Sequence, residues 1–296
     1  MSLRQMEYLV AVVEEESFTR AAEALHVTQS ALSHQIKALE REVGGPLLER
    51  MTRGVRLTAM GRAYFPHAEL AVRSARQARR AALAAGGAES GELHIATVHA
   101  QAIGVLPKVC ARWACAHPGM RLVLHEYATT EELYEQMARG IADMALGPRP
   151  KDWQGPVTVV GRERMVLVVP HDDPLAARDS VRLAELAHRP WVRCSLEPVV
   201  EGRRWLDLEC ERVGFTPRTA VRTQHSSTAV RMASAGVGVL LTAAHELIGL
   251  DCAYVPTDPP WRRDITVFSR VELTGAAAEF TELLRITAKE SPEMAS

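Results

Sequence analysis

SFTRAAEALHVTQSALSHQIKALEREVGG, Ser17 to Gly45, is the stretch on which the fold turns. At about 100° per residue, Leu32, Ile36, Leu39 and Val43 fall in one narrow stripe, with Ser30, Ser33, His34, Lys37 and Arg41 opposite. One side is core; the other carries short donors and cations and no carboxylate. Thr28 is a natural N-cap for this helix, predicted over about Gln29 to Val43, and Gly44 can end it in the left-handed conformation. Ser17 caps a shorter helix before it, whose buried side is Phe18, Ala21, Ala22 and Leu25; the paired alanines let a neighbour approach closely. Two short helices separated by a bend at His26–Val27 predict a helix-turn-helix. An ordinary amphipathic surface helix shares part of this pattern, but small side chains at the second helix's start suit a major groove about 12 Å wide. Gln29, Ser30, Ser33 and His34 are therefore candidates for the base edges, Lys37 and Arg41 for phosphates, and Thr28 for a further DNA contact.

Working outward, Met6, Leu9, Val10 and Val13 recur at helical spacing and predict a first helix ending near Glu14–Glu16. Downstream, Leu47–Arg50 and Val55–Leu57 flank the turn Met51–Gly54, a hairpin read as a wing, with Arg50 and Arg53 as further DNA contacts; an arginine at such a tip suits a narrow minor groove. The formal charge of the chain is −1, yet residues 1–85 carry +3 and the remainder −4, and the excess lies between Thr28 and Arg62. A basic patch on an acidic molecule fits a DNA surface. From Thr58 to Ala85 an Ala- and Arg-rich run reads as one long helix, bent at Pro66, whose apolar stripe needs a second copy to cover it.

The stretch from Ser17 to Phe65, ending GGPLLERMTRGVRLTAMGRAYF, closely resembles the LysR-type transcriptional regulators. That resemblance implies a winged helix-turn-helix at 1–58, a dimerising linker helix at 59–87 and an effector-binding domain at 91–296. It implies double-stranded DNA with a pseudo-palindromic operator as partner, a homodimer or homotetramer, and RNA polymerase as a further contact. The phrases IATVHAQAIGVLP, ELYEQMARGIADMALG, VLVVPHDDPLA and VRMASAGVGVLL resemble the family's effector domain, which has the two-lobed fold of periplasmic solute-binding proteins. Lobe I is then expected at 91–161 with 266–296, and lobe II at 162–265.

The residues beyond Gly91 support an α/β reading independently, since β-rich runs alternate with helical ones at Ile103–Trp113, Thr130–Arg139, Val200–Arg212 and Thr228–Ala235. Largely parallel sheets are expected, with a ligand in the crevice outside the strands' carboxyl ends and helix N-termini facing it. Candidate effector contacts are His99, Ala100 and Gln101 after the first strand, Thr129 and Thr130, Arg149, Cys194 and Ser195, and Ser226, Ser227 and Thr228. Thr130 and Ser227 also read as simple helix caps, and His99 as a structural histidine. Where the family often holds Ser or Thr this chain has Ala100.

Other classes find little support. There is no nucleophile elbow, HExxH, P-loop or complete dinucleotide fingerprint, so no enzyme and no cofactor is expected. An enzyme or small-molecule binder on a solute-binding-protein-like fold remains the alternative. The five cysteines lack metal spacing and read as small buried hydrophobes, with Cys194 and Cys210 as a conceivable redox pair. No apolar run approaches the roughly 20 residues of a membrane span, and MSLRQMEYLVAVVEEE meets acidic residues too early for a secretory segment. The expected location is the cytoplasm, away from membranes.

Overall fold

The structure, a computed structural model, describes residues 1–51, 54–85, 91–194, 197, 199–200 and 202–291. By its internal contacts the chain divides into two units, residues 1–82 with 139–141, and residues 83–138 with 142–296.

In the first unit, α1 (Leu3–Glu14), α2 (Phe18–Ala24) and α3 (Gln29–Val43) precede the antiparallel hairpin β1 (Leu48–Arg50) and β2 (Val55–Leu57), and α4 (Ala59–Ala85) follows. Each short helix starts on the cap its sequence supplies: the Ser2, Ser17 and Thr28 hydroxyls accept from the amides of Gln5, Arg20 and Ala31. Gly44 ends α3 at φ +98°, a left-handed backbone that favours glycine. Leu9, Val12, Ala21, Ala22, Leu32, Ile36, Leu39, Leu47 and Ala68 form the core. The buried stripe of α1 runs through Tyr8, Leu9, Val10 and Val12, while Met6 and Val13 are only half-buried. Pro66 lies inside α4, which stays helical through it.

The second unit begins with β3 (Gly91–Val98), α5 (His99–Gly104), α6 (Leu106–Ala116), β4 (Met120–Tyr127), α7 (Thr130–Ala138), β5 (Met144–Gly147) and β6 (Val157–Val169). There follow β7 (Val181–Arg182), β8 (Pro190–Cys194), β9 (Val199–Val200), β10 (Arg203–Arg204), α8 (Trp205–Arg212), β11 (Arg218–Thr223) and α9 (Ser226–Ser234). β12 (Leu240–Ala243), β13 (Ala253–Asp258), β14 (Arg262–Phe268) and α10 (Gly275–Glu290) complete it.

β3 runs parallel to β4 and β5, and β8 to β11, but β14 is antiparallel to β5 and β6, as are β12 and β13 to β6. The expectation of largely parallel sheets is thus corrected to a mixed sheet. The cause is the long β6, whose first half pairs with β14 and whose second half, Met165–Val169, pairs with β12 and β13. Leu93, Ile95, Trp113, Val160, Ile265, Phe280 and Leu284 share one core; Val166, Val192, Val230 and Leu240 share another, with Leu167, Trp191, Cys210 and Val255 behind it. β6 and β14 therefore tie the two cores together.

Three helix boundaries differ from the expectation. The Ile103–Trp113 run is broken at Val105, where Pro107 near the start of α6, lacking an amide hydrogen, suits a first turn. Val200–Arg212 is a β9–β10 hairpin before the helix begins at Trp205. α9 begins at Ser226, not near Thr228, because His225 supplies the extended capping residue.

Candidate functional site

On α3, Thr28 caps the helix and touches Ser30 Oγ at 3.2 Å, so the first turn is fixed by its own hydroxyls. Gln29, Ser30, His34, Lys37 and Arg41 are exposed and Ser33 is half-buried, while Leu32, Ile36 and Leu39 are within 2 % of full burial. Arg41 Nε donates to the Lys37 carbonyl at 3.3 Å. The expectation of a face without carboxylates is corrected by Glu40, which borders the same hollow as His34, Lys37 and Arg41, its Oε1 accepting from the Leu47 and Leu48 amides at 2.9 and 3.1 Å. That bond anchors β1 to α3 and leaves His34, Lys37 and Arg41 around an open hollow. A second hollow lies between the start of α2 and the hairpin, lined by Ser17, Thr19, Arg20, Gln29, Met51 and Gly54. Thr19 and Arg20 escaped the sequence reading; their place just after a cap was the available signal. Arg50 lies in β1, and Arg53 lies outside the described residues.

In the second unit, His99 opens α5 directly after β3, with Nδ1 3.1 Å from Glu126 Oε2 and its ring edge-on to His225, centroids 5.4 Å apart. His225 caps α9, so the two imidazoles meet from elements of the two different cores. Ala100 and Gln101 are buried. Gln101 Nε2 donates to Glu163 Oε2 at 3.3 Å, and the same oxygen lies 2.7 Å from His245 Nε2, while Arg263 Nε donates to Oε1. Burial pushes the Glu163 carboxyl up, but the Arg263 charge and the His245 hydrogen bond outweigh it and hold it at about 2. Burial lowers the His245 pKa, yet its bond to Glu163 leaves it raised. Gln101, Glu163, His245 and Arg263 thus form one buried polar knot where β6 and β14 join the cores. Glu163 inside a strand and His245 after one were its sequence signals, and neither had been singled out.

Cys194 ends β8, buried, its thiol donating to the Gln224 carbonyl at 3.4 Å. Its neighbour Arg193, also buried, pairs with Glu197 and Asp207; burial opposes its charge, but those two carboxylates hold its pKa above the usual value. Ser226 is buried at the first turn of α9, beside Cys194, and Ser227 and Thr228 follow it in the helix. Thr129 Oγ1 accepts from the Glu132 amide and caps α7, with Thr130 Oγ1 turned to Glu131. Arg149 is exposed beyond β5. Cys194 and Ser226 are therefore brought together, His99 meets His225, and no described contact joins Thr129, Thr130 or Arg149 to them. Ser195 lies outside the described residues.

All five cysteines are free thiols, and burial raises that of Cys210 to about 12. Among the described residues no group of three or more His, Cys, Asp or Glu side chains is arranged to hold a metal, and no helix is long and apolar enough to cross a membrane.

Two family models match the chain: "Bacterial regulatory helix-turn-helix protein, lysR family" over residues 3–62, and "LysR substrate binding domain" over residues 86–288. The HTH-type transcriptional regulator ShiR of Corynebacterium glutamicum is 34 % identical over 243 residues, covering 82 % of each chain. Among solved structures, a full-length OxyR variant from Pseudomonas aeruginosa superposes with a TM-score of 0.73 at 21 % identity, covering 99 % of this chain and 96 % of that one. Full-length CbnR complexed with its target DNA follows at 0.69 and 23 % identity, covering 97 % of this chain and 100 % of that one.

Proposed function

Because the chain belongs to the LysR family of bacterial transcriptional regulators, we propose that it reads DNA with the exposed face of α3 and senses a small molecule between the two cores of its second unit. It is a sequence-specific DNA-binding regulator and not an enzyme. The observation that carries the DNA assignment is the composition of the α3 face. Gln29, Ser30 and His34 are exposed at the N-terminal end, Lys37 and Arg41 a turn or two later, and the Glu40 carboxylate beside them is tied to the hairpin. Short donors first and cations after is the order that a helix entering the major groove needs, because its N-terminal residues reach base edges and later ones the backbone.

Residues 1–58 form the DNA-binding module in this reading, 59–87 the linker helix and 91–296 the effector domain. A two-fold pair of α3 helices then addresses half-sites about 34–36 Å apart or farther, in a homodimer or homotetramer acting in the cytoplasm beside RNA polymerase. Closure of the second unit on its ligand and DNA binding are reciprocal effects on one equilibrium. His99, His225, Cys194 and Ser226 are the side chains best placed for the ligand, and the double-stranded operator is the other partner. The CbnR complex supports this arrangement, being a full-length relative in fold solved on its target DNA.

Two substitutions test the roles separately. His34→Ala alters preference among operator variants more than affinity for random DNA. Lys37→Ala weakens specific and random binding alike and reduces the salt slope by about one. Equal losses on operator and random duplex for His34→Ala contradict base reading.

A further inference from the structure

Behind Cys194 and Ser226 the second unit holds a cavity of about 40 Å³, room for roughly three water-sized groups. Two of the residues lining it each carry a polar atom without a hydrogen-bond partner among the described residues: Ser226 Oγ and Glu246 Oε2. Both residues are deeply buried, at 2 % and 6 % exposure. The Glu246 carboxylate does not wander, because its other oxygen accepts from Thr242 Oγ1 at 2.9 Å and from the Ala243 amide at 3.3 Å. A buried acceptor of this kind is costly when left unmet, and more so when it carries charge.

Arg263, which also lines the cavity, and His245 lie within electrostatic reach of both Glu163 and Glu246, but neither donates to Glu246 Oε2. Arg263 and His245 are turned to Glu163, and Glu197 is held by Arg193. Glu246 is left as the carboxylate with an oxygen to offer, beside a hydroxyl that can accept as well as donate. Met165, Leu206 and Trp205 supply an apolar wall.

We propose that this cavity takes a compact cationic donor, the amidinium or ammonium head of the effector, held by Glu246 Oε2 and Ser226 Oγ. The inference rests on the second unit being the effector domain, and narrows its ligand to one that carries such a head. A charge-assisted pair satisfies both atoms at once; a neutral amide can donate to the same Glu246 oxygen but without the charge, and a carboxylate has no donor to give it.

The test uses the full chain with methyl-labelled methionine, the Met165 resonance assigned by Met165→Leu, and three probes of nearly one shape: acetamidinium, acetamide and acetate. Acetamidinium shifts the Met165 methyl saturably, with a Kd of about millimolar as a four-atom ligand allows. Acetamide binds at least about tenfold more weakly and acetate not at all. Glu246→Gln loses about tenfold in acetamidinium affinity, and Ser226→Ala a smaller factor. Acetate binding as well as acetamidinium, or no saturable shift with any probe, overturns the proposal; so does acetamidinium affinity unchanged in Glu246→Gln. Should that variant fail to fold, the order of the three probes on the unaltered chain decides alone. Operator binding measured on the same sample separates the two readings: a chain that prefers its operator but ignores acetamidinium loses only this proposal. One that binds acetamidinium without preferring any DNA loses the regulator reading instead.

Discussion

Glu163 is fully buried, yet three elements reach it: Gln101 from α5, His245 after β12 and Arg263 from β14. Its pH behaviour follows from its neighbours. The His245 pKa is raised above its usual 6.5, so the stability it contributes is complete below pH 6.5 and is lost as pH rises through the raised value. Glu163 works in the opposite direction: its contribution is present above its usual 4.5 and is lost as pH falls towards about 2. Urea unfolding of the unaltered chain is expected to weaken on going up from pH 6.5, and His245→Gln to flatten that slope. Parallel pH dependences for the two proteins contradict the assignment. This knot was illegible from one sequence, because Gln101 and Glu163 are 62 positions apart and only the pairing of β6 with β14 brings Arg263 to them.

At the scale of elements, local chemistry made the first unit legible. Caps at Ser17 and Thr28, a left-handed Gly44 and a 3.6-residue stripe on α3 are short-range signals, and each stands where the residues place it. What the spacing left open was how closely α4 docks on the hairpin. Gly61 settles that: a Cβ there lies 2.0 Å from the Leu47 carbonyl oxygen. Thr58 fixes the same corner, its hydroxyl donating to the Pro46 carbonyl at 2.6 Å and accepting from the Gly61 amide at 2.9 Å. Gly61→Ala is expected to destabilise the first unit by about 1–3 kcal/mol, overpacking outweighing the gain of about 1 kcal/mol in helix propensity. Denaturant titration checks it, and an unchanged or raised midpoint contradicts the close approach. In the second unit the alternation of strands and helices was readable. The antiparallel courses of β6 and β14 were not, since periodicity says nothing of a strand's partner, and the β9–β10 hairpin was hidden in a run that reads as helix.

For the whole molecule, a basic DNA-facing unit and a more acidic ligand-binding unit share one chain whose formal charge, −1, conceals the division. The candidate effector residues were partly legible at this scale, because strand ends and helix starts are where an α/β fold gathers them. Cys194 and Ser226 do line one cavity, but Glu246 was missed, lying on a short turn after β12 that no motif marks. Taken whole, the molecule recognises a particular DNA sequence. Fluorescence anisotropy with the intergenic DNA beside its own gene, random duplex as competitor and a salt series tests it most directly. A preference of at least about a thousandfold over random DNA is expected, with affinity falling linearly in log salt at about 0.9 per phosphate contact. Equal affinity for both duplexes at every salt concentration contradicts it.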